Sequence, residues 1–277
     1  MQQGIAEVNS EAPIGIFDSG VGGLTVAHEI MRQLPNEKII YFGDTARVPY
    51  GNKSRETIIR YSRQIIRFLR TRNIKAIVVA CNTASAFALE EVGKDLDIPI
   101  IGVVRPGAKA AAEATKNRRV GIIGTEGTIN SQIYPDVINE YASGIAVVGK
   151  ACPLFVPLVE EGLLDDSITK EIAERYLRGL READIDTLIL GCTHYPLIRG
   201  IIGEIVGDKV KLINPAYQTA ISLKDLLDKE MLLSRRTATG GRHEFYVSDT
   251  AEKFKKFANS ILPFAIGSIE KINIEEY

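Results

Sequence analysis

The sequence carries almost no net charge, has no apolar run long enough to cross a membrane, and contains only three cysteines. Three is an odd number, and no two of them form a CxxC pair. That excludes a disulfide scaffold or a short-spaced zinc site and predicts reduced thiols, with no metal. With 34 Lys and Arg against 35 Asp and Glu, there is no basic excess to neutralise phosphates, so nucleic acid is not an expected partner. Residues Met1 to Pro13 have neither a basic start nor an apolar stretch. No secretory leader is expected there, and the chain reads as cytoplasmic. The composition, 45% hydrophobic and 25% charged, is that of a globular protein and leaves no case for disorder or a membrane association. At 277 residues the chain has the length of two domains.

Two of the cysteines stand in matching local settings. Ile77-Val78-Val79-Ala80 runs into Cys81-Asn82-Thr83, and Leu188-Ile189-Leu190-Gly191 runs into Cys192-Thr193-His194. In each, a buried-type apolar run ends at a small residue, then a thiol, then hydrogen-bonding side chains. A strand leading into a loop that opens a helix gives this pattern, and it puts each thiol at the carboxyl end of a strand, where open α/β sheets bind ligands. A thiol at a helix N-terminus is also expected to have a lowered pKa. Cys152, followed by Pro153 and Leu154, has no polar follower and reads as packing.

Apolar β-type runs alternate with amphipathic stretches, which predicts an α/β fold of two similar parallel-sheet domains. Strands are expected at Ile14 to Phe17, Ile39 to Phe42, Ile74 to Ala80 and Ile98 to Val104, with helices at Leu24 to Gln33, Thr57 to Arg72 and Ser85 to Lys94. The order repeats 106 positions later, Val120 answering Ile14 and Ile145 answering Ile39. Ser167 to Glu182 answers the long helix, Thr187 to Leu190 leads to Cys192, and Val210 to Ile213 answers the fourth strand. Gln218 to Glu230 and Ala251 to Leu262 read as helices returning to the first half, and Ser234 to Arg242 as an exposed loop. The expected domains are therefore 1–105 with 215–277, and 106–214, with the active site in the cleft between them.

Asp18-Ser19-Gly20-Val21-Gly22-Gly23 follows a strand and precedes a helix, yet is neither a Walker A loop nor a GxGxxG fingerprint. It serves either as a turn with Asp18 or Ser19 as helix cap, or as a cradle whose amides hold a small carboxylate. Val48-Pro49-Tyr50-Gly51 reads as loop punctuation or as a lid over a substrate. His194 is placed to tune the Cys192 thiol, or to cap a turn. From Pro157 to Gly162, either Glu160 or Glu161 is able to approach the site.

Together these motifs resemble the glutamate racemases of the cofactor-independent aspartate/glutamate racemase superfamily. The resemblance rests on DSGVGGLTV from Asp18, VPYG from Val48, ACNTASA from Ala80, PLFVPLVEEG from Pro153 and GCTHYP from Gly191, in order over nearly the whole chain. It implies interconversion of L- and D-glutamate without a cofactor, supplying D-glutamate for peptidoglycan, and a homodimer. It also implies catalytic Cys81 and Cys192, helped by Asp18, Glu160 and His194. Substrate contacts are implied at Asp18, Ser19, Pro49, Tyr50, Gly51, Asn82, Thr83, Thr193 and His194. One departure is visible: Asn214-Pro215-Ala216 stands where the family often has Asp-Ser-Ala.

Inverting Cα means removing a proton from one face and returning one to the other, which suits two fixed groups on opposite faces. One sulfur must be protonated and the other not in each productive form. The alternatives are a non-catalytic amino-acid-binding protein of two α/β domains, and a cysteine hydrolase or redox protein. The second would need one nucleophile or a linked CxxC pair. Aspartate racemase is the nearest alternative within the superfamily.

Overall fold

The computed structural model describes residues 9–235 and 243–277. Residues 1–8, within the stretch where no secretory leader is expected, and most of the loop expected from Ser234 to Arg242 lie outside the described residues. The chain forms two parallel sheets. The first begins with β1 (Ile14–Asp18), α1 (Leu24–Gln33), β2 (Ile39–Gly43), α2 (Arg55–Arg70), β3 (Ala76–Val79), α3 (Asn82–Phe87), α4 (Leu89–Gly93), β4 (Ile100–Gly102) and α5 (Val104–Ala114). β1 to β3 are buried along their whole length, as continuous Val/Ile/Phe runs between helix layers require. α2 starts at Arg55, two residues before the expected position, because Ser54 caps it by accepting from the Thr57 N–H at 3.3 Å.

The second sheet comprises β5 (Arg119–Gly124), α6 (Glu126–Asn130), α7 (Ile133–Tyr141), β6 (Ala146–Ala151), α8 (Phe155–Glu160), α9 (Ser167–Glu182), β7 (Thr187–Gly191), α10 (Arg199–Val206) and β8 (Lys211–Ile213). Its order, β6-β5-β7-β8, reproduces β2-β1-β3-β4 of the first sheet. The repeat seen in the sequence is thus a repeat of topology, with β5 central as β1 is.

The chain then returns to the first sheet. α11 (Pro215–Lys229) packs on α1, β9 (Glu244–Val247) pairs in parallel with β2, α12 (Ala251–Ile261) follows, and β10 (Glu270–Lys271) pairs with β9. The sequence reading had the two returning helices but neither β9 nor β10. It also missed α5, which takes Val104 from the expected fourth strand. The Asn214-Pro215 departure has a plain local role: the Asn214 side chain accepts from the Ala216 N–H at 3.0 Å and caps α11, with Pro215 in its first turn. Among the described residues no helix is long and apolar enough to cross a membrane.

Candidate active site

The two sheets bring their carboxyl ends together. Asp18 ends β1, Cys81 follows β3, Thr125 follows β5 and Cys192 follows β7. Both thiols line one cavity of about 30 Å3 between the sheets, together with Ser19, Tyr50, Asn82, Thr83, Thr193 and His194. Pro49 and Gly51, from the turn read as either loop punctuation or a lid, line one side, and Val48 of the same turn, Thr125 and Val156, none of them among the expected substrate contacts, also reach it. A cavity of that size holds about two waters. An amino acid does not fit in that space as it stands.

Gly22 shows how tightly the halves meet. A Cβ there would lie 2.4 Å from Thr193 Oγ1 and 2.5 Å from the His194 ring. Thr25 seals the same seam by donating to the Thr193 carbonyl at 2.9 Å, and Thr83 Oγ1 lies 2.9 Å from Thr125 Oγ1 across the cleft. Tyr134, on α7, donates to Asn82 Oδ1 at 2.7 Å.

The two thiols sit in different electrostatic surroundings. Cys81 caps α3: its sulfur accepts from the Ala84 N–H at 3.5 Å and lies 3.7 Å from Ser19 Oγ. The helix consequently starts at Asn82 rather than at Ser85, and it breaks at Ala88 before α4. The expected lowering of this thiol's pKa does not occur. Burial and the neighbouring Asp18 carboxylate outweigh the amide and Ser19, and Cys81 is pushed up to about 12. Nor does Cys192 open an α-helix, because a short 3-10 turn from Tyr195 to Ile198 precedes α10. Its electrostatic partner is His194, whose Nδ1 lies 3.7 Å from the Cys192 sulfur.

The other ring nitrogen of His194 is 3.1 Å from Glu160 Oε1. Burial alone would lower this imidazolium's pKa, but the hydrogen bonds to Cys192 and Glu160 and the nearby Asp18 push it up to about 10. Glu160 is held below the usual carboxylate range chiefly by His194. Of the two adjacent acids, Glu160 turns inward while Glu161 has a side chain 71% exposed. Asp18 is fully buried; burial raises its pKa against the opposing His194 charge and the N–H groups of Gly23, Gly20 and Ser19. It lies beneath the cavity rather than on its wall, and Glu160 reaches the site through His194.

Tyr50 is anchored from behind. Its hydroxyl donates to Asp44 Oδ2, which also accepts from Arg47 Nε at 2.8 Å, while Ser248 Oγ donates to Asp44 Oδ1 at 2.8 Å. Ser248 directly follows β9, so the returning segment holds the Tyr50 turn in place. Asp44 and Ser248 carry no motif signal of their own. Cys152 is buried in the core of the second half, which pushes its thiol pKa up, and it lies away from the cavity.

The sequence profile of the Asp/Glu/hydantoin racemases matches residues 14–220. A glutamate racemase from Geobacter metallireducens is 52% identical over 262 residues, 95% of this chain and 97% of that protein. The crystal structure of a glutamate racemase isoform from Bacillus anthracis superposes with a TM-score of 0.92 at 40% identity, covering 95% of this chain and 98% of the other. A Francisella tularensis glutamate racemase crystallised with D-glutamate gives a TM-score of 0.90 at 40% identity, over 97% of this chain and all 100% of that one. By sequence along three-quarters of its length, and by fold along nearly all of it, the chain belongs to the Asp/Glu/hydantoin racemase family.

Proposed function

We propose that this protein interconverts L- and D-glutamate by two-base proton transfer between Cys81, Cys192 and the substrate Cα. The observation that carries the reading is the convergence of the two thiols, from equivalent strand ends of the two halves, on one cavity lined by neutral hydrogen-bond donors. One thiolate takes the Cα proton and becomes a thiol. The opposite thiol gives its proton to the other face of the carbanion and becomes a thiolate. No proton is gained or lost over the cycle, and each turnover leaves the pair poised for the reverse direction.

The unequal surroundings favour the mixed protonation state that this chemistry needs. Burial and Asp18 push Cys81 towards its protonated form, whereas Cys192 has the His194 ring 3.7 Å from its sulfur. Ser19, Asn82, Thr83 and Thr193 are the donors for the substrate carboxylates, stabilising charge as it moves from Cα towards the α-carboxylate. Asp18, buried beneath the cavity, acts on the retained ammonium through its negative charge and not by direct contact, and Tyr50 with Pro49 and Gly51 covers the bound molecule. Glu160 orients His194 and sustains its charge. The domains are taken as 1–105 with 215–277, and 106–214, hinged so that the cleft opens for exchange of substrate. The enzyme acts in the cytoplasm as a homodimer, feeding D-glutamate to peptidoglycan synthesis.

The deciding measurement is incubation of L-glutamate in deuterated water with no added cofactor. Optical activity should vanish while Cα acquires deuterium. Retention of the Cα proton would refute the proposal, and exchange confined to aspartate would move the substrate within the superfamily.

A further inference from the structure

We propose that Tyr134 is a positioning residue for racemisation: from the second half it fixes the Asn82 amide so that the NH2 end faces the substrate. This rests on the reading of Asn82 as a carboxylate donor. Asn82 is the residue after Cys81 and the first of α3, so its backbone is tied to the thiol. Its amide has two chemically opposite ends, and only one of them is able to bind an anion.

The phenol decides which end is offered. Tyr134 is 1% exposed and donates its single proton to Asn82 Oδ1 at 2.7 Å. If the amide turned over, Nδ2 would donate to the phenol oxygen instead. The phenol proton would then need another acceptor, and among the described residues Tyr134 has none but Asn82. A buried hydroxyl stripped of its acceptor is costly, so the turned-over amide is disfavoured. With Oδ1 occupied, Nδ2 is the amide's remaining polar group, and Asn82 lines the cavity that holds both cysteines.

The local backbone is arranged to bring the phenol there. Gln132 adopts a left-handed conformation (φ 58°) that separates α6 from α7 and sets the direction in which α7 departs. On α5, Gly107 lets Pro215 of α11 pack close beside the hydroxyl: a Cβ there would lie 3.1 Å from Pro215 Cγ, while its 3.5 Å distance from Tyr134 Oη would be ordinary contact. Because α7 and α3 belong to different halves, the bond also ties the two sides of the cleft together at Asn82.

The test is Tyr134→Phe, which keeps the ring and removes the proton. Wild-type enzyme must first racemise glutamate; failure there refutes the activity and not this assignment. KM for both enantiomers should rise about tenfold in Tyr134→Phe, with a smaller fall in kcat. In an Asn82→Ala background the same change should raise KM no further, which loss of packing alone would not produce. An unchanged KM in Tyr134→Phe would overturn the assignment. So would an undiminished rise in the Asn82→Ala background, since the phenol would then act elsewhere, for instance on Cys192.

Discussion

His194 stands between Cys192 and Glu160, 3.7 Å from the sulfur through Nδ1 and 3.1 Å from the carboxylate through Nε2. The arrangement makes this histidine a buried cation sustained first by its hydrogen bond to Cys192 and next by the one to Glu160. Its pKa lies near 10 against an ordinary 6.5. A group raised in this way contributes stability in full below 6.5 and loses it as pH rises through its folded value. Glu160→Gln removes the carboxylate partner, leaving Cys192 and Asp18, and should bring the histidine part of the way back towards its ordinary value. The melting-temperature deficit of Glu160→Gln should then be largest near pH 6.5 and shrink towards pH 10, and its activity should decline at lower pH than wild type. A deficit constant across that range would show that Glu160 does not hold the charge.

The two site thiols should be separable from the third cysteine. Cys81→Ser and Cys192→Ser each replace an acid–base group with a hydroxyl far less acidic, so racemisation should fall by roughly a thousandfold or more in folded protein. Cys152→Ser should retain most activity, with a stability cost of about 1–2 kcal/mol for burying a hydroxyl in an apolar core. Circular dichroism checks both fold and turnover. Equal inactivity of all three would remove the reason for singling out the pair.

The lid prediction concerns binding more than chemistry. Ser248→Ala takes one of three donors from Asp44, a cost of about 1 kcal/mol, and should loosen the Tyr50 anchor. KM should rise severalfold while kcat changes little. Asp44→Asn should act in the same direction and more strongly, because it also weakens the pairing with Arg47. A fall in kcat at unchanged KM would place Tyr50 in the chemical step instead.

Activity should also survive exhaustive dialysis against a chelator and require no pyridoxal phosphate. The reading assigns carbanion stabilisation to Ser19, Asn82, Thr83 and Thr193, with the proton carried by sulfur. Recovery only on adding back a metal or pyridoxal phosphate would contradict it.

What the sequence made legible was local. Each thiol, its strand and its polar followers are contiguous, so the β3–Cys81–Asn82 and β7–Cys192–Thr193 units were readable, as was the repeated order of strands. Three things were not. β9 is four residues long and mixes Glu244 with aromatics, so its place beside β2 is set by tertiary pairing. Tyr134 and Ser248 act on Asn82 and Asp44 from distant parts of the chain, and no spacing rule announces such contacts. The raised pKa of Cys81 comes first from burial and then from Asp18, which a helix-terminus argument made from sequence leaves out.

The last prediction separates the thiols by face, and it cannot be made with racemisation itself. The enantiomers of glutamate are equal in free energy in water, so any variant must lose kcat/KM equally in both directions. A half-reaction is needed. An amino acid with a good leaving group on Cβ eliminates once its Cα proton is gone, which requires one working base only. The family resemblance assigns the D-face to Cys81 and the L-face to Cys192. Cys192→Ser should therefore still eliminate from the D-analogue, and Cys81→Ser from the L-analogue, though neither racemises. The L-face reaction should also be the one most sensitive to Glu160→Gln, because only Cys192 touches His194. The reverse pattern would keep the two-base mechanism and exchange the thiols. Loss of elimination from both analogues in both variants would mean that neither sulfur works without the other.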